Sequence, residues 1–431
     1  MPDSSNSGTS FAEQCLAAMQ KRGFDSCSAM VSNTQKHELN AEFGEINLLR
    51  TNHNVSVHLS AIVDGKKGSV SLNRQDTALL DQSVDELWDI ACASISDEAN
   101  AFAEKQEPAK FSRGPESPDY DLMVQRIAET LDYTRATYPS LNLQSVIVDY
   151  VNQRSQVLNS NGVDFRSKRS HYDGQLMFTA KEGEKVSSFS YTGFALNELN
   201  APLYDIATAD TLLRQATEQV ETRKVPGGFE GELLVTPDCL SDFLGFLCAQ
   251  VSDLALLGGN SVYQSSLGEP VAAAALTLRS LPLDLPAGYF VTGDGYAAEN
   301  LALVEKGLLQ SYLLSLYGSK KTQLSKPARS GGCYVVDPGT DDRDNMIRSI
   351  DKGILITRFS GGRPNDKGDF SGIAKNSYYI ENGEIQFPVS ETMISGNMPS
   401  LLQNISAISH QRADFGRYIF PWVRMGSVNV S

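Results

Sequence analysis

Glycine-containing turn dipeptides punctuate runs in which apolar and polar residues alternate, and they restrict much of this chain to antiparallel sheet. Asp64-Gly65 joins VSVHLSAIV to KKGSVSL, and Asn382-Gly383 joins SYYIE to EIQFPV. An Asn-Gly or Asp-Gly pair accepts the positive φ angles that a two-residue hairpin turn demands. Period-two alternation places successive side chains on opposite faces, so one face can be buried. Asn161-Gly162 and Asp173-Gly174 divide the strand-like runs that begin at Ser145 and continue through EKVSSFSYTGF to Phe194, and predict an antiparallel meander.

Helical patterns interrupt the strands. The sequence predicts helices from Ser10 to about Arg22, over 76–104, from a Ser117 cap with Pro118 in its first turn to Thr137, and from about Ala207 to Arg223. Another is expected at CLSDFLGFLCAQVSDL (239–254), and a short one near 398–408. The Pro-rich, mixed-charge stretch KQEPAKFSRGPESPD (105–119) reads as a linker. The expected division is a disordered tail over 1–10, an α+β domain over 11–104, a central strand-and-helix domain over 117–224, and a strand-rich domain over 228–431. The fold class is therefore α+β, with helix-plus-antiparallel-strand blocks ahead of a strand-rich carboxyl-terminal domain.

The chain has 431 residues, of which 41% are hydrophobic and 21% charged, enough for substantial cores. Its 37 Lys and Arg against 52 Asp and Glu give a net charge of −15, which argues against gripping nucleic acid. The one short basic cluster, Arg166, Lys168 and Arg169, reads as a solvated strand face. Six cysteines without a C-x-x-C pair suit reduced thiols. No leader pattern or membrane-length apolar run is present, so the expected location is the cytoplasm, with no membrane partner.

Sites of chemistry are scarce in the pattern. Five histidines, at 37, 53, 58, 171 and 410, include no pair one helical turn apart. There is no G-x-S-x-G nucleophile elbow and no phosphate-binding G-x-x-x-x-G-K-[ST] loop. Asp341, Asp342, Arg343 and Asp344 read as a solvated helix start rather than a calcium loop. In the 239–254 helix, Thr236 is the expected N-cap and Pro237 the first position. Leu240, Phe243, Leu244, Leu247, Cys248, Val251 and Leu254 form a core-facing stripe. Gly245 is expected to admit another backbone at close range.

The carboxyl-terminal half contains IRSIDKGILITRFSGG and DFSGIAKNSYYIENGEIQFPVSETMISGNMPSLLQNI. The run from Tyr379 through Glu381-Asn382-Gly383-Glu384, Pro388-Val389 and Ser395-Gly396-Asn397 resembles the TldD/PmbA family. The likeness extends over nearly the whole chain from about residue 30. It implies two kinds of subunit: TldD-type zinc peptidases with H-E-x-x-x-H on a helix plus a Cys ligand, and TldE/PmbA-type subunits without that motif. The two pair around a cavity in which unstructured peptides are cut. Carried onto this sequence, the first His falls on Gly245, the Glu on Phe246, the second His on Gln250 and the Cys near Ser360. None of these side chains can replace the original, so the resemblance implies a TldE/PmbA-type subunit that binds no metal itself. Zinc is expected only in a TldD-type partner. Extended peptides would be held near Gly361, Gly362, Tyr378, Tyr379, Ser390 and Glu391, although the glycines also suit turns and the tyrosines packing. The alternative is an independent homo-oligomeric peptide-binding or scaffold protein that cuts nothing.

Overall fold

The computed structural model describes residues 9–390 and 392–431. Helix α1 (Phe11–Arg22) starts at a capping box: the Ser10 hydroxyl accepts from the Glu13 N–H at 3.2 Å, and the Ser10 N–H donates to the Glu13 carboxylate at 2.7 Å. Strands β1 (Ser26–Glu42), β2 (Glu45–Val63) and β3 (Lys66–Leu72) follow, then α2 (Leu80–Ala93), β4 (Ala109–Arg113) and α3 (Tyr120–Thr137). Two long strands, β5 (Leu141–Asn159) and β6 (Asp164–Glu182), precede the short β7 (Lys185–Val186), β8 (Ser190–Leu196) and helix α4 (Ala209–Glu218).

These eight strands form one sheet in the order β3-β2-β1-β5-β6-β4, with β7 and β8 also paired to β6. Every pairing is antiparallel except β4 with β6. At one end of the long strands α1 and α2 cover a face through Cys15, Met19, Val84 and Leu87. At the other end α3 and α4 cover it through Met123, Ile127, Leu212 and Leu213.

The second half contains β9 (Phe229–Val235), α5 (Leu240–Gln250), α6 (Asp253–Gly258), β10 (Leu278–Ser280), β11 (Leu301–Glu305) and β12 (Leu308–Leu309). Helix α7 (Leu316–Thr322), β13 (Tyr334–Val336), α8 (Arg343–Arg348), β14 (Lys352–Ile356), β15 (Arg358–Ser360) and β16 (Asp369–Lys375) come next. The chain ends with β17 (Tyr378–Glu381), β18 (Glu384–Pro388), β19 (Thr392–Asn397), α9 (Met398–Gln403), β20 (Ile405–Asp414) and β21 (Ile419–Val430). The main path of this second sheet is β12-β11-β10-β13-β21-β9-β14-β17-β18, and β15, β16, β19 and β20 branch from it. Helix α5 packs against this sheet, in a core containing Leu240, Phe243, Leu244 and Leu247. The architecture is α+β with a strand-rich second half.

Two hairpins form as the sequence predicts. Asp64 and Gly65 have φ of 49° and 72°, and Asn382 and Gly383 have 52° and 78°, the left-handed pair such turns require. Asp342 caps α8, with its carboxylate accepting from the N–H groups of Asp344 and Asn345.

Other expectations are corrected. Asp173-Gly174 is no turn, because β6 runs straight through it; Gly174 is needed where the Phe194 ring crosses, and a Cβ there would lie 2.2 Å from the ring. The stretch read as a linker supplies β4, which lies parallel to β6 from Ala109 opposite Phe165 to Arg113 opposite Arg169. Helix α3 is capped by Asp119 rather than Ser117, its carboxylate accepting from the Leu122 N–H at 3.0 Å.

Candidate functional site

Helix α5 grows out of β9 through a tight turn. The N–H groups of Cys239 and Leu240 both donate to the Thr236 carbonyl at 3.0 Å. Thr236 is therefore one turn too early to be the N-cap, a position Cys239 takes. The helix ends at Gln250, so Leu254 leaves the predicted stripe and is 89% exposed on α6.

Gly245 is exposed, and a Cβ built on it meets nothing within 4 Å. The close backbone approach expected there does not occur. Phe246 is buried, with its ring against Gly368, where an added Cβ would come within 3.1 Å of Cζ. Gln250 is buried, and its side-chain oxygen accepts from the Val262 N–H at 2.9 Å, tying the following loop to the helix. Ser360 lies at the end of β15, partly exposed. A zinc ion needs several N, S or carboxylate donors at about 2.0–2.3 Å. A glycine, a phenyl ring, an engaged amide and a lone hydroxyl do not make that set. Among the described residues, no three His, Cys, Asp or Glu side chains are grouped to hold a metal.

What opens beside the helix is a cleft of about 490 Å³ at its amino-terminal end. Asp238, Ser241 and Asp242 form one wall, the three residues of β15 another, and Phe189 and Tyr191 of the first sheet's β7–β8 region a third. The Arg358 guanidinium stacks 3.7 Å from the Tyr191 ring centroid and donates to the Tyr191 carbonyl. Register places Arg358 directly opposite Lys375, another cleft residue. Phe359 anchors β15 from beneath, with its ring 6.0 Å from Phe243 and 5.6 Å from Phe370. Among the described residues β15 pairs with β16 alone, and all three of its residues line the cleft.

The cleft is electrostatically mixed. Burial pushes the Asp238 carboxyl up to about 6, against the lowering pull of the Thr208 hydroxyl, which donates to it at 2.7 Å, and of Arg358. Burial also raises Asp242, opposed by a contact with the Cys239 thiol and by Arg358. Cys239 itself is buried and held well above the ordinary thiol range, chiefly by desolvation, so it is an inert thiol.

The residues expected to touch peptide are scattered. Gly361, with φ of 82°, has nothing within 4 Å of an added Cβ, and Gly362, with φ of 60°, is locked against the Ser371 carbonyl. Tyr378 and Tyr379 are buried, 4% and 1% exposed, and their hydroxyls donate to Glu218 at 2.6 Å and Glu381 at 2.9 Å. Alternation on β17 did not separate packed from presented rings, because both of its faces are covered. Ser390 joins the chain end of the hairpin to Arg223, its N–H donating to that carbonyl at 2.9 Å. Glu391 lies outside the described residues. Sequence reading missed Asp238, Asp242 and Arg358; the signal available was an Arg preceding the Phe-Ser-Gly-Gly run and two acids spaced i, i+4 at a helix start.

The family model described as the PmbA/TldA metallopeptidase C-terminal domain matches residues 230–431. A metalloprotease PmbA homolog of Haemophilus influenzae is 23% identical over 411 residues, covering 89% of this chain and 87% of the relative. Metalloprotease PmbA of Escherichia coli O157:H7 is 24% identical over 409 residues, covering 90% and 88%. The crystal structure of TldE from Thermococcus kodakarensis superposes with a TM-score of 0.82 at 19% identity, covering 98% of this chain and all of that one, which shows a shared fold. The family match over residues 230–431 and the full-length relatives support the resemblance to the TldD/PmbA family.

Proposed function

We propose that this chain is a non-catalytic, TldE/PmbA-type subunit that holds extended peptides for a zinc-bearing TldD-type partner. The observation that carries this reading is the state of helix α5: Gly245, Phe246 and Gln250 offer no free donor, while the cleft at the same helix's amino end remains open. A peptide laid along β15 would gain backbone hydrogen bonds as an added strand, with Phe189 and Tyr191 available to alternate side chains. Arg358 and the two aspartates offer partners of both signs to a peptide's polar groups. Among the described residues no helix is long and apolar enough to cross a membrane.

The test is co-expression with a family member that carries H-E-x-x-x-H. The expected result is a 1:1 complex that cleaves unstructured peptides, with no cleavage by this chain alone. Robust cleavage by the isolated chain, or failure to associate with any such subunit from its own organism, would overturn the reading.

A further inference from the structure

The face of the first sheet that carries the four amino-terminal helices is bare between them. Asn33 on β1, Arg154 on β5, Lys168 on β6 and Ser112 on β4 are cross-strand neighbours there. One step along, Gln156, Arg166 and Lys110 are neighbours in the next row. Alternation splits the basic run of the sequence. Arg166 and Lys168 share this face, while Arg169 turns to the other, donating to the Ala287 carbonyl and, at 3.1 Å, to Gln153.

The result is a cavity of about 440 Å³ lined by Lys110, Arg154, Arg166 and Lys168, beside the start of α1, in a chain of net charge −15. Like charges directly opposite on neighbouring strands repel, and here two such pairs, Arg154 with Lys168 and Lys110 with Arg166, stand side by side. Internal neutralisation is incomplete. Arg166 pairs with Glu13 at 2.9 Å and with Asp164 at 3.7 Å, and Lys168 reaches only the exposed Glu116 at 3.8 Å. Lys110 and Arg154 have no ion-pair or hydrogen-bond partner among the described residues. Neutral donors complete the wall: Asn33 and Gln75 both line the cavity, joined by a 3.0 Å hydrogen bond.

From this juxtaposition we infer a second binding site, independent of the peptide cleft, for a compact ligand with closely spaced oxyanions, such as a polyphosphate or polycarboxylate. The cations converge on one small cavity rather than running in a line, which suits a small molecule better than a nucleic-acid backbone. Their partial exposure makes the attraction salt-dependent.

Titration calorimetry on the full chain with sodium tripolyphosphate, citrate and sulfate tests this, and the first two probes tell a phosphoryl from a carboxylate source. The expected result is saturable binding of tripolyphosphate or citrate, weakening as salt rises, and at least tenfold weaker in both Arg154→Gln and Lys168→Gln. Because Arg154 is exposed, the unliganded variants should keep the wild-type melting midpoint. No saturable binding of either polyanion into the millimolar range, or equal binding in the two variants, overturns the site. Neither result depends on whether the chain serves a peptidase.

Discussion

At the carboxyl end of helix α5, Phe246 is wedged against Gly368 and Gln250 gives its amide oxygen to the Val262 N–H. At the amino end, Asp238 and Asp242 face an open cleft with Arg358 across it. One helix thus carries a sealed end and a receptive end little more than 10 Å apart, as a rise of 1.5 Å per residue dictates. The difference teaches that one end of a helix can be committed to packing while the other keeps polar groups at an open cleft. Phe246 and Gln250 serve packing and loop anchoring, while the cleft at the other end keeps charged groups and the aromatic rings of Phe189 and Tyr191.

Substitutions along the helix break or sharpen that contrast. The largest effect is expected from Phe243→Ala, which removes a fully buried ring packed on Phe359 and Phe370. It should destabilise the chain by about 3–5 kcal/mol in chemical denaturation. Gln250→Ala should cost about 0.5–1.5 kcal/mol by removing the hydrogen bond to the Val262 N–H; a change near zero would mean that the sealed end is not structurally committed.

Asp238 sharpens the receptive end through pH. Its carboxyl is held at about 6 in the fold, against about 3.9 in an unfolded chain. The folded state therefore keeps a proton that the unfolded state has lost. The group's contribution is intact below pH about 4, declines as pH rises toward about 6 and is level above that. Asp238→Asn should flatten this slope and, allowing for partial solvent screening, raise stability near pH 7 by about 1–2 kcal/mol relative to wild type. A slope unchanged by the substitution would remove Asp238 as its source. The smallest effect is expected at Gly245, where an exposed helical glycine has open space around it; Gly245→Ala should stabilise by about 1 kcal/mol.

Much of the fold was legible because hairpin turns and caps are local. Asp64-Gly65 and Asn382-Gly383 need positive φ wherever they occur, and the Ser10–Glu13 box closes within one turn. The sequence misled where the cause was distant. Gly174 looks like a turn residue until Phe194, twenty positions later in the chain, crosses it. The Pro-rich stretch looks like a linker until β6 supplies a parallel neighbour. The family resemblance singled out Gly245, Phe246 and Gln250 on helix α5. The cleft could not be read in this way, because Asp238, Tyr191 and Arg358 come together only when the two sheets meet.

The most direct measurement is zinc per chain, by elemental analysis of protein expressed alone and purified without chelator. The emptied helix predicts far less than one zinc per chain, with no gain in thermal stability on adding zinc. About one tightly held zinc per chain, retained through dialysis, would contradict the account.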